Sequence, residues 1–155
     1  MNYQIHALPK AKYQHFFDMT DGELAQRNAE RSVVETPNSV PCRVSLQDAD
    51  PGETVILLNH PHLDEQSPYQ ARYAIYIREL ATEAQLPKNT LPENLSRRIL
   101  AIRGFSQNHR LQSADIVAGV DLETKMRALL AVPEIEYVHL HSAKEGCYHA
   151  KVVRV

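Results

Sequence analysis

The stretch HLHSAKEGCYHAKV, His139 to Val152, gathers His139, His141, Cys147 and His149 within eleven residues of a 155-residue chain. Imidazoles and a thiol at this density suit two kinds of chemistry. A thiol beside an imidazole is the minimum for an activated cysteine, because imidazolium stabilises the thiolate. Two histidines two residues apart on a strand can also converge on one metal ion. His139 and His141 are so spaced, with Cys147 or His149 to complete a tetrahedral shell. The same residues suit an ordinary hairpin too, with histidines on a half-exposed face and cysteine as a small core residue. A second group, NHPH, sets His60 and His62 around Pro61 just after an apolar run. Loops at strand ends commonly carry binding groups.

Arg43 and Arg103 add a different chemistry. Each lies among apolar neighbours in a segment expected to be a strand. An arginine so placed pairs with a carboxylate or receives an anionic ligand, since its charge is not left bare. Asp48, Asp50 and Glu53 are near enough in sequence to serve as ordinary salt-bridge partners.

The hairpin that would position the first group can be read from its apolar pattern. Side chains alternate along a strand, so Val138 and Leu140 share one face while Tyr137, His139 and His141 share the other. A loop over Ser142–Gly146, with Gly146 at positive φ, would set His141 opposite Cys147 and His139 opposite His149. Tyr148, Ala150 and Val152 would then join Val138 and Leu140 on the core side. A one-residue slip would pair His141 with Tyr148 instead.

Elsewhere the punctuation is clear. Asn2–Leu8 reads as a first strand ended by Pro9. Thr20-Asp21-Gly22-Glu23 fits a capping box that starts a short helix. Arg31–Glu35 is β-like. Asp50-Pro51-Gly52 is a turn, followed by TVILLN, apolar on both faces as in a central strand. NHPHLDEQSP reads as a surface loop. Tyr73–Arg78 alternates as a strand, and the polar, proline-bearing Glu79–Asn94 is the least ordered segment. RRILAIRGF reads as a strand because of Ile99, Ile102 and the nearby Gly104. Gly119–Val132 is a helix with Leu122, Met126, Leu129 and Leu130 on one stripe, stopped by Pro133. The sum is a single α+β domain over residues 1–155, with a largely antiparallel sheet, two or three helices and a C-terminal β-hairpin.

Bulk properties narrow the function. A net charge of −2 with interspersed signs gives no basic run for nucleic-acid binding. No stretch approaches the roughly 18 apolar residues of a membrane span, and the N-terminus has no signal-peptide core. A cytoplasmic location with Cys42 and Cys147 as reduced thiols is expected. The chain has no GxGxxG, P-loop, HExxH or GxSxG motif.

PCRVSLQDADPGETVILLN and YVHLHSAKEGCYHAKVVR, with SPYQARYAIYIRE, RRILAIRGF and ADIVAGVDLE between them, resemble a bacterial family catalogued as a domain of unknown function, number twelve hundred and three. The resemblance covers most of the chain. It implies family features at Cys42-Arg43, Pro51-Gly52-Glu53, His62, Arg103, His141 and Gly146-Cys147, and marks His60 and His149 as particular to this sequence. It implies no activity, substrate or cofactor.

Three functions are therefore expected to compete. The leading one is a pocket for a small anionic ligand, with His141 and Cys147 at its base as catalytic base and nucleophile or redox thiol. Arg43 or Arg103 would hold the anion and His62 would close the rim. The second is a metal module using His139, His141 and Cys147 or His149. The third is an interaction or assembly protein, a homodimer for example, that pairs through its C-terminal strand as an open edge.

Overall fold

The computed structural model describes residues 1–155. Its first helix begins where the local chemistry says it should. In α1 (Asp21–Gln26) the Thr20 hydroxyl accepts from the Glu23 backbone N–H at 3.2 Å. The Glu23 carboxylate accepts from the Thr20 N–H at 2.7 Å, closing the capping box. A single turn, α2, spans Glu93–Ser96. The third helix, α3 (Leu122–Leu130), follows a 3-10 turn at Gly119–Asp121 and buries Leu122, Met126 and Leu130 completely.

Eight strands make two antiparallel sheets. They are β1 (Tyr3–His6), β2 (Glu30–Val33), β3 (Thr54–Leu63), β4 (Ala71–Arg78), β5 (Ile99–Phe105), β6 (Leu111–Ala118), β7 (Tyr137–Ser142) and β8 (Tyr148–Arg154). The larger sheet has the order β1-β8-β7-β5-β6, and the smaller the order β2-β3-β4. The fold is thus the expected α+β class with a C-terminal hairpin, β7–β8, but with two sheets where one was expected. TVILLN is central, as expected, within the smaller sheet.

The α3 stripe packs on Leu100, Ile102, Val138, Leu140, Ala150 and Val152, which all point to one face of the larger sheet. Each of these side chains except Ala150 contributes about 1.5–3 kcal/mol of transfer free energy. A second core joins Ile56, Leu58, Ile75 and Ile77 of the smaller sheet to Cys42, Val44 and Tyr148. Tyr148 ties that core to the larger sheet.

Three expectations are corrected. The C-terminal strand is no open edge: β8 lies between β1 and β7, and the edges of the larger sheet are β1 and β6. Tethering of the last strand on both sides removes the basis for assembly through it. NHPH is not loop, because β3 continues to Leu63 through an irregularity between His60 and Leu63. A bulge there absorbs Pro61, which has no N–H to give to the ladder. Arg43 sits in a turn rather than a strand, next to the isolated bridge between Cys42 and Tyr76. Glu79–Asn94 lacks regular structure before α2, yet Asn89 clasps both backbone groups of Tyr3 at 3.0 Å.

Gly104 shows how tightly the helix-side core is filled. A Cβ there would lie 2.7 Å from Cδ1 of Ile135. The obstacle is a flexible side chain, so Gly104→Ala is expected to lower stability by about 1–2 kcal/mol rather than abolish folding. Urea denaturation checks this.

Candidate functional site

The hairpin register decides what meets what. The Ser142 N–H donates to the Cys147 carbonyl at 2.9 Å, so the turn covers residues 143–146, with Gly146 at φ +82°. His141 is then paired with Tyr148, not Cys147. Leu140 is paired with Ala150, which leaves His149 as an extra residue in a bulge. Beyond the bulge, His139 opposes Lys151 rather than His149. The expected opposition of His141 to Cys147 and of His139 to His149 is therefore corrected. The physical reason is a loop one residue shorter than expected, compensated by one bulged residue. Ala150 and Val152 keep their expected core side, and Tyr148 changes face.

On the face away from α3 a basic row crosses three strands. His139 on β7 is opposed by Arg103 on β5 and by Lys151 on β8. Cross-strand neighbours on one face have Cβ atoms about 4.5–5.5 Å apart. Lys151 lies over the Tyr137 ring at 4.2 Å. Neither Arg103 nor Lys151 makes a salt bridge. Glu65 acts on Tyr137, whose hydroxyl is held up to about 12 mainly by burial.

The β3 bulge brings His62 over this row. Its ring centroid is 4.9 Å from that of His141 and 6.2 Å from that of His139, while His139 and His141 are 6.0 Å apart. Tyr148 stacks on His62 at 5.8 Å and 8°, and meets His139 edge-on at 5.1 Å. His60 completes the wall, with Nδ1 2.6 Å from the Tyr13 hydroxyl. His62 Nδ1, His139 Nδ1 and His141 Nε2 are buried and have no hydrogen-bond partner.

Burial keeps these rings neutral. It holds His139 down to about 2, and His60 and His141 down to about 3; His62 is lowered as well. Arg103 adds to the lowering of His62, His139 and His141, Lys151 to that of His139, and Lys12, Arg43 and Arg72 to that of His60. Arg103 itself is half-buried, and desolvation depresses it.

Arg43 and Cys147 belong to a neighbouring network. The Arg43 guanidinium, 1% exposed, donates to the Tyr148 carbonyl at 2.7 Å, to the Pro41 carbonyl, and to Cys147 Sγ at 3.1 Å. The sulfur also lies 3.4 Å from Ser142 Oγ, which is 2.7 Å from His149 Nε2. His141 and Ser142 are adjacent on β7 and point to opposite faces, so the thiol sits with Ser142 and not with the His141 ring. His141 Nδ1 bonds the Gly146 carbonyl at 2.9 Å instead. The carboxylates expected to neutralise Arg43 are used elsewhere: Asp48 by Arg98 and Arg97, Glu53 by Arg78.

Of the residues singled out from sequence, His62, Arg103, His139 and His141 thus converge, while Arg43, Cys147 and His149 form a second group. Lys151 and Tyr148 were missed. Only the bulge puts Tyr148 on this face, and no local sequence signal announces it; Lys151 keeps the face that alternation with Ala150 and Val152 gives it, and the new register brings it opposite His139. No three His, Cys, Asp or Glu side chains gather closely enough to hold a metal ion, the set His139, His141 and Cys147 included.

Surface depressions lie elsewhere. One of about 610 Å³ is lined by Asp21, Arg31, Leu57 and Asn59 among others, and one of about 420 Å³ surrounds Asp48, Arg78 and Arg97. The arginines of these two are already paired with carboxylates, so size there comes without unspent charge. A third, of about 540 Å³, holds the single unpaired cation Arg110 beside Asp64. The histidine face is the better candidate on chemistry.

Fold and site together define a two-sheet α+β protein with a basic, histidine-lined face between its sheets. Residues 39–154 match the family model described as "Protein of unknown function (DUF1203)", and the chain belongs to that family. The match contains every residue of the candidate site. No curated protein and no solved structure matches the chain. No helix is long and apolar enough to cross a membrane.

Proposed function

We propose that this protein binds a small oxyanion on the face formed by Arg103, His139 and Lys151, with His62 and His141 over it. The observation that carries the reading is the row itself: two cations flank His139 with no carboxylate paired to either. A guanidinium offers a planar fork of donors that matches a carboxylate or phosphate group. The neutral imidazoles of His62 and His139 add N–H donors without adding charge. Cations within this group also argue against a metal ion, which they would repel.

This reading keeps His62, Arg103 and His141 from the pocket expected from sequence and adds His139 and Lys151. Cys147 and Arg43 are left outside it, and no reaction is assigned. A hydrogen bond involving a charged group contributes about 1.5–3 kcal/mol, or roughly 10- to 100-fold in affinity. Calorimetry with sulfate, phosphate and acetate in a chloride buffer is expected to find at least one that binds with Kd near 1 mM or tighter. Arg103→Gln should weaken it at least tenfold, with Arg103→Lys between. If none of the three anions binds, or Arg103→Gln binds like the parent, the reading is wrong.

A further inference from the structure

We infer that the oxyanion taken by this face carries a proton of its own and donates it to Nε2 of His141, which makes the ligand a hydrogenphosphate or a phosphomonoester monoanion; this rests on the anion reading above.

The tautomer of His141 is fixed by its surroundings. Its Nδ1 lies 2.9 Å from the carbonyl oxygen of Gly146. A carbonyl oxygen only accepts, so Nδ1 carries the hydrogen and donates it. A neutral imidazole has one N–H, and Nε2 is therefore a bare lone pair. That atom is buried and without a partner on a side chain that is fully buried. Because burial holds the ring down to about 3, it does not become a cation near neutral pH.

A buried lone pair of this kind sorts oxyanions. Against an unprotonated oxygen it is repulsive and leaves a buried acceptor unsatisfied. Against an O–H it forms a hydrogen bond. The rest of the site supplies the opposite polarity. Arg103 is a donor only and stands in the row of His139, two residues along β7 from His141; Lys151 shares that row, but its ammonium leans over the Tyr137 ring on the far side of His139. Two residues of strand span about 6–7 Å, a distance that one tetrahedral oxyanion covers with a hydrogen bond on each side. Donors at one end and an acceptor at the other fit an anion that is charged on one side and protonated on the other. His62 and Tyr148, whose ring centroids are 4.9 and 5.9 Å from that of His141, frame the acceptor.

Titration calorimetry of the intact protein with inorganic phosphate, methyl phosphate and sulfate tests this. At pH 6 both phosphates are expected to bind at least tenfold tighter than sulfate, which has no proton to give. Methyl phosphate loses its last proton near pH 6, by analogy with other phosphomonoesters. Its affinity should therefore fall about tenfold between pH 6 and 8, while inorganic phosphate, protonated throughout, holds. Whichever phosphate binds tighter at pH 6 tells the free anion from the ester. His141→Asn should bring phosphate and sulfate within threefold of each other. If that variant does not fold, the methyl phosphate profile of the parent decides alone. Sulfate equal to phosphate with a flat methyl phosphate profile overturns the inference and leaves the anion site standing. No binding of any oxyanion overturns both.

Discussion

Arg43→Met is expected to lower the stability of the chain by about 2–4 kcal/mol, read from urea denaturation with an unchanged slope. Arg43 is the largest fully buried side chain in the protein. Its three nitrogens hold the Tyr148 carbonyl, the Pro41 carbonyl and the Cys147 sulfur, and so pin the turn at 41–48 to the start of β8. Methionine fills the volume but gives none of these acceptors a donor. A buried carbonyl left unsatisfied costs about 1–3 kcal/mol.

An opposing effect must be weighed. The guanidinium is buried without a carboxylate, and desolvation lowers its basicity, with Cys147 acting the other way. Removing an unpaired buried charge relieves some of that cost. The ordering of two variants separates the effects. Lysine keeps the buried charge but is a point donor that cannot reach three divergent acceptors, so Arg43→Lys should be at least as destabilising as Arg43→Met. A Met variant within about 1 kcal/mol of the parent would show that the charge, not the fork, dominates.

How much of this could be read in advance follows from the range of the forces involved. The Thr20–Glu23 box, the Asp50-Pro51-Gly52 turn and the α3 stripe are local, and each was legible as residue types at fixed spacing. Arg43 and Arg103 stood out for a physical reason, since a cation among apolar neighbours demands a partner. Which partner it finds is a matter of tertiary geometry. Asp48 lies five residues from Arg43 and yet binds Arg98, fifty residues away.

The hairpin shows the limit most sharply. Alternating apolar residues placed Ala150 and Val152 on the core face with Leu140 and Val138, but the expected register set Ala150 against Val138, where the structure sets it against Leu140. That pattern constrains parity, and a shorter turn plus one bulged residue preserves parity while moving every partner between them. Tyr148 changed face, Cys147 left His141, and Lys151 came to face His139. The site therefore rests on an insertion of one residue at His149. In the sequence that residue reads as one more histidine on the face of His139 and His141, with nothing to mark it as the bulge.

The same buried imidazoles make the fold sensitive to acid, and this is the largest effect expected. His60, His139 and His141 are 3%, 4% and 0% exposed and are held down to about 3, 2 and 3. His149 lies well below its ordinary value too. Burial is the leading cause in each, and the nearby Lys12, Arg43, Arg72, Arg98, Arg103 and Lys151 push the same way. The folded state thus favours neutral rings, while an unfolded histidine takes up a proton near pH 6.5. Below that pH the unfolded chain binds more protons, so stability is complete above about 6.5 and is lost as the pH falls towards 3. Each of the three histidines withdraws about 2 kcal/mol by pH 5, at 1.36 kcal/mol per unit. Together they remove about 6 kcal/mol, comparable with the whole stability of a small domain. Exposed carboxylates such as Glu23 titrate lower and cannot produce a loss that begins at pH 6.5. Urea denaturation between pH 8 and 5 is expected to be flat above pH 7 and then to fall with a slope of at least three protons, His149 adding to the three. His139→Phe should reduce that slope by one. A loss below about 2 kcal/mol between pH 7 and 5 would mean that the rings take up protons inside the fold, and that the histidine face is far more open to water than its packing around Tyr148 implies.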